Sequence, residues 1–235
     1  MQKDVLNNKD FTLERAQLIK CLLDLRSAEL EMVVPFMNGD FTQWDLYLAL
    51  SSEYAVRLTD GFISMLESRN LVCAAQLLRA QVGTCLRTFA LFAAKDQDAF
   101  LERAFNDGRI DRMRDYTGKK MTDARLQELL EPFDSQIKNV YAETSGWVHF
   151  STSILPSMAT SAGDWMVDFN FGADPNEKNN KPLLECAGAF CHYVDLHLQM
   201  LSKVVVSDGW YADRLEIHQH DSGSECTGSL EEDLN

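Results

Sequence analysis

The run from Asn70 to Ala94 is apolar almost all the way round: Leu71, Val72, Ala74, Ala75, Leu77, Leu78, Val82, Leu86, Phe89, Leu91 and Phe92 leave few polar positions at helical spacing. A helix of that kind has no face to give to water, so it must lie at the centre of whatever the chain builds. The rest of the sequence supplies amphipathic helices to cover it. One opens at Thr12, reads Leu13, Leu18, Ile19, Leu22, Leu25, and is closed by Pro35 and Asn38-Gly39-Asp40. A second runs from about Thr42 to Ser68, and short ones follow Asp96 and Thr122. Another begins at Phe133, and a long last one starts at Pro182, a residue suited to a first helical turn, and reaches Val206. Periodicity departs from helix only where Val167-Asp168-Phe169-Asn170-Phe171 alternates between turn residues. The chain is therefore predicted to be all-α, a bundle of about five to seven helices with a small extended β-like arm near 164–171. Residues 1–10 are expected to be flexible, 11–206 to form a single helical domain, and 207–235 to be an acidic, disordered tail.

Charge narrows the partners. The chain has 22 basic and 36 acidic residues, a formal net charge of −14. Half of it is local, because residues 207–235 hold eight acidic side chains against Arg214 alone. A net charge of this sign opposes unaided binding to DNA phosphates, while the helical body can still carry a basic pocket. The tail itself suggests a third role, as a nucleic-acid mimic or a docking segment for a partner. The six cysteines of the whole chain lack the short paired spacings of a disulfide framework and read as reduced side chains. With no apolar leader and no apolar run of membrane length, the expected location is cytoplasmic, away from a membrane.

Most common site chemistries are missing. There is no Gly-rich phosphate loop, no nucleophile elbow and no dinucleotide fingerprint. Cys186, Cys191, His192 and His197 share one helix, but ligands at i and i+5 point apart, so no metal is expected and the two histidines read as ordinary helix-face residues. His218, His220 and Asp221 lie in the tail, where no preorganised shell is expected. No cofactor is called for.

Two polar stripes stand out against this background. On the central helix Gln76, Arg79, Gly83 and Arg87 follow i, i+3, i+7 and i+11, so two guanidinium groups flank a glycine that permits close approach. Buried arginine demands an anion, either an internal carboxylate, for which Glu53 and Asp60 of the preceding helix are nearest, or a ligand. In the Phe133 segment, a helix that persists through Gly146 would put Tyr141, Ser145 and His149 on one face, beside Glu143 and Trp147. Here too a structural histidine and a chemical one are both open readings. If the stripes meet, imidazole and guanidinium together suffice for metal-independent phosphodiester cleavage.

Leu77-Leu78-Arg79 on a long helix, then Tyr141-x-x-x-Ser145-x-x-x-His149, a variable extended segment and a final helix, resemble the HEPN-type all-helical domains, in particular a prokaryotic branch with Leu-Leu-Arg and Ser-x-x-x-His motifs. The resemblance covers about residues 40–206. It implies a helical, often homodimeric protein of bacterial defence or toxin–antitoxin systems, some relatives being ribonucleases and others binding modules. The ribonuclease pattern separates an arginine from the histidine by four to six residues, and here those positions before His149 hold Thr144, Glu143 and Ala142. Catalysis by His149 would thus need Arg79 or Arg87 from the central helix. The expected function is a binding or interaction module, partnered by itself and by an unidentified protein or RNA, with a polar pocket of Arg79, Gly83, Arg87, Tyr141, Glu143, Ser145, Trp147 and His149. The alternative is a ribonuclease using His149 with Arg79 or Arg87 as catalytic residues.

Overall fold

A computed structural model of the chain describes residues 8–34, 42–106, 108–149, 159–161, 167–169 and 179–206. Among them are seven α-helices: α1 (Asn8–Val33), α2 (Gln43–Glu67), α3 (Leu71–Ala93), α4 (Gln97–Asn106), α5 (Asp123–Leu130), α6 (Ile137–Val148) and α7 (Asn180–Val206). Local chemistry sets several of the boundaries. Thr42 and Asp45 form a reciprocal capping box at the start of α2, and the side chains of Asn70 and Thr122 accept from Cys73 N and Arg125 N to cap α3 and α5. Two short strands, β1 (Ala159–Ser161) and β2 (Val167–Phe169), pair antiparallel with Thr160 opposite Asp168, which supplies the extended arm. The predicted tail, 207–235, lies outside the described residues.

Helices α1, α2, α3 and α7 form a closed ring in which each packs on the next, and α4, α5 and α6 lie against the outer side of α3. That explains the composition of α3. It is a wall shared by the four-helix core and the outer layer, so Leu78, Val82, Cys85, Leu86, Ala90 and Leu91 are all buried. Inside the ring, Phe62 of α2 stacks on Phe190 of α7, with ring centroids 4.0 Å apart and planes 24° apart.

Two boundaries differ from the sequence reading. Helix α1 starts at Asn8, not at Thr12, because Phe11 is fully buried and held beneath Arg69, whose guanidinium lies 4.7 Å from the ring centroid. Burial of that ring anchors a first turn that polarity alone would leave loose. Helix α6 starts at Ile137, since Phe133 and Asp134 turn back on Leu130 through their backbone N–H groups. Phe133 is left 63% exposed.

Candidate functional site

The polar stripe of α3 faces α5 and α6. Arg79 lies flat on the Tyr141 ring, its guanidinium carbon 3.7 Å from the centroid, and its Nε donates to Ser145 Oγ at 3.4 Å. Its Nη2 stands 3.6 Å from Asp123 Oδ2. Arg87, two turns on, donates through Nη2 to the other oxygen, Asp123 Oδ1. Tyr141 completes the cluster by donating its hydroxyl to Asp123 Oδ2 at 2.6 Å. Burial and that carboxylate together push the Tyr141 phenol up from its ordinary value. One aspartate in the first turn of α5 therefore accepts from Arg87 of α3 and Tyr141 of α6 and forms a looser ion pair with Arg79, fastening three helices at a single point.

The expected partners of the arginines are accordingly corrected. Glu53 pairs with Arg57 at 2.5 Å along α2, and Asp60 pairs with Arg26 of α1 at 2.6 Å, so neither reaches α3's polar stripe. Asp60 faces α1. Among the described residues no second backbone approaches Gly83; the nearest atom to a Cβ placed there is Arg79 Nη1 at 3.4 Å, an ordinary van der Waals contact. Gln76 donates to the Trp147 carbonyl at 3.3 Å, and the Trp147 ring packs against the core, so this residue serves the site through its backbone.

His149 parts from the group. Helix α6 does persist through Gly146, but it ends at Val148, and His149 takes the extended conformation of a C-cap with φ −103° and ψ 136°. The chain leaves the helix at His149, and the residue is exposed. Among the described residues no hydrogen bond or ion pair joins His149, or the exposed Glu143, to Arg79 or Arg87. Arginine and tyrosine meet in a stacked contact, and no such contact joins arginine and histidine among the described residues.

The electrostatics of the cluster are unbalanced. Two guanidinium groups share one carboxylate, and Arg87 Nη1 is buried with no hydrogen-bond partner. The side chains of Arg79, Arg87 and Asp123 retain 20%, 37% and 31% of their accessible surface, so the cluster is only partly closed to solvent.

A second polar cluster escaped the sequence reading. His197 is not an ordinary helix-face residue: it is wholly enclosed where α1, α2, α3 and α7 meet. Its Nδ1 lies 2.7 Å from Glu29 Oε1, also wholly enclosed, and its Nε2 lies 3.2 Å from Ser51 Oγ and 3.1 Å from Thr88 Oγ1. Ser51 donates its own proton to the Leu48 carbonyl at 2.8 Å, so that proton is directed away from the ring. A serine whose proton points into its own helix is not poised to pass it to that ring as general base, and the wholly enclosed cluster is a buried structural network rather than a triad. The signal was present, since Val194, His197, Leu198 and Leu201 share one stripe of α7, as Leu22, Leu25, Glu29 and Met32 do on α1.

The basic run after α4 is mostly self-satisfied. Arg109 pairs with Asp111, and Arg114 donates to the Gly118 carbonyl at 2.6 Å. The loop winds round Asp115, which is buried and accepts from Thr117, Lys119 N and Arg125. Arg103, Arg112 and Arg114 line an open recess of about 410 Å³ beside it. Among the described residues no group of three or more His, Cys, Asp or Glu side chains forms a metal site, and no helix is long and apolar enough to cross a membrane. No protein-family model matches the chain, and neither does any curated protein or solved structure.

Proposed function

We propose that the chain is a helical binding module whose site, built on Arg79, Arg87, Asp123 and Tyr141, receives an anionic group of its partner. The observation that carries this is the sharing of one carboxylate by two partly accessible guanidinium groups, which leaves a preorganised excess of donors and positive charge. Asp123 holds both arginines in place, and Tyr141 fixes the Arg79 plane, so a phosphate or carboxylate meets groups already oriented. The exposure of His149, and the absence among the described residues of a hydrogen bond or ion pair from it to either arginine, favour binding over phosphodiester cleavage. The HEPN-like resemblance adds the proposal that the partner's anion is an RNA phosphate and that the module works as a homodimer in a bacterial defence or toxin–antitoxin setting.

Calorimetry with inorganic pyrophosphate is expected to show saturable binding that falls at least tenfold in Arg79→Gln and in Arg87→Gln, and that weakens as salt rises. Incubation with total RNA in EDTA is expected to leave the RNA intact. Cleavage in chelator that disappears in His149→Ala would replace the binding reading with the ribonuclease one.

A further inference from the structure

At the opposite end of the α3–α7 contact from Arg79, the bundle opens into a chamber of about 440 Å³, within the range that holds small organic ligands. Its walls are apolar and come from five elements. Trp44 of α2 meets Phe92 of α3 with ring centroids 6.0 Å apart, and Phe89 of α3 meets Phe133 at 6.4 Å, while Leu196 and Met200 of α7 form the floor. The polar groups on the lining are few: Gln97, Gln199 and Lys203. Lys203 is exposed, with its Nζ 5.3 Å from the Phe133 centroid, which holds the ammonium against the chamber's outer wall. It is the one charged side chain on the lining, and among the described residues no carboxylate pairs with it. An aromatic chamber with a single cation and two amides has the composition of a site for an apolar chain carrying one negative head group.

We infer that this chamber binds an amphipathic monocarboxylate, its hydrocarbon part among Trp44, Phe89, Phe92 and Met200 and its carboxylate on Lys203. The apolar part supplies affinity by leaving water, and the single cation selects the head group, since an ammonium head brings like charges together and a hydroxyl head forgoes the ion pair. None of the lining residues belongs to the Arg79–Asp123–Arg87 cluster, so this site stands or falls independently of the anion-binding one.

The full chain is titrated with sodium dodecanoate below its micellar concentration, by calorimetry and by tryptophan fluorescence, with dodecanol and dodecyltrimethylammonium as neutral and cationic comparisons. The expected result is one dodecanoate per chain, binding at least tenfold more tightly than either comparison. Lys203→Glu is expected to remove that preference, and Met200→Trp, which fills the floor, to abolish binding. Gln199→Trp places the same obstruction on an exposed rim position and serves if Met200→Trp melts early. Absence of dodecanoate binding overturns the inference. So does equal binding of all three amphiphiles, binding that survives both obstructing variants, or a ligand-induced change in the mass of the particle without a one-to-one endpoint.

Discussion

Replacing Glu29 or His197 is predicted to be the most damaging pair of single changes in the helical body, and replacing both together the least damaging way to lose them. Each residue is completely enclosed, and the 2.7 Å contact between Nδ1 and Oε1 is what lets two ionisable groups sit in the ring of α1, α2, α3 and α7. In His197→Leu the Glu29 carboxyl keeps no partner at all, because Oε2 already lacks one. In Glu29→Leu the ring loses its Nδ1 partner and keeps Ser51 and Thr88. Breaking a buried pair from one side costs about 3–5 kcal/mol, and His197→Leu should lie at the upper end. For a chain of this size that is a fall of roughly 6–20 °C in Tm. The double Leu variant leaves no uncompensated charge, and its residual loss comes from the Thr88 and Ser51 hydroxyls, about 1 kcal/mol each at most. Urea denaturation of the four proteins gives the coupling energy directly, and at least about 2 kcal/mol is expected. Losses that simply add, or single variants within about 1 kcal/mol of the parent, would refute the claim that the pair is a coupled, desolvated unit.

The remaining predictions concern the outer layer and the surface. Asp123→Ala releases Arg79, Arg87 and Tyr141 together; with all three side chains partly accessible, the loss of stability should be about 1–2 kcal/mol by urea denaturation, less than for a fully buried pair, while pyrophosphate binding changes with it. Burial pushes the Asp115 carboxyl up, but its bonds from Thr117, Arg125 and Lys119 N prevail and hold it down to about 2, against an ordinary 3.8. Its folded value is the lower one, so the stability it contributes is present above pH ~4 and disappears as pH falls towards 2; an acid titration of Asp115→Asn followed by circular dichroism should have a shallower slope in that window. Leu46, Leu50 and Tyr54 stand i, i+4 and i+8 on α2 and are 42%, 50% and 50% exposed, which makes this stripe the proposed contact between two copies. Sedimentation should report a dimer that Leu50→Glu converts to monomer, and a monomeric parent would remove the homodimer from the proposal.

The all-α architecture was legible because hydrophobic periodicity is a local property and Asn70, Thr122, Gly163 and Pro182 punctuate it. The apolar circumference of α3 announced its central place, and the guanidinium-to-tyrosine contact follows from two stripes on helices that pack together. Asp123 was not legible. An aspartate directly after a capping threonine reads as a complement to the helix dipole, and nothing in its spacing reveals that α5 folds back so that it meets Arg79 and Arg87. The end of α6 was not legible either, because the helical spacing that runs on to His149 gives no sign that the backbone leaves the helix there. His197 and Glu29 were overlooked although each lies on its helix's apolar stripe, because their partnership spans 168 residues and only the closed ring brings them together.

The proposal that guanidinium groups of α3 await an anion is tested most directly by nuclear magnetic resonance of the nitrogen-labelled full chain during titration with inorganic pyrophosphate. The Nε–Hε signals of Arg79 and Arg87, identified by their loss in Arg79→Lys and Arg87→Lys, are expected to shift together along one saturable curve. Arg125, whose guanidinium is already committed to Asp115 and Glu128, is expected to stay still. Movement of Arg125 in step with the other two, or no movement of any, would contradict the account.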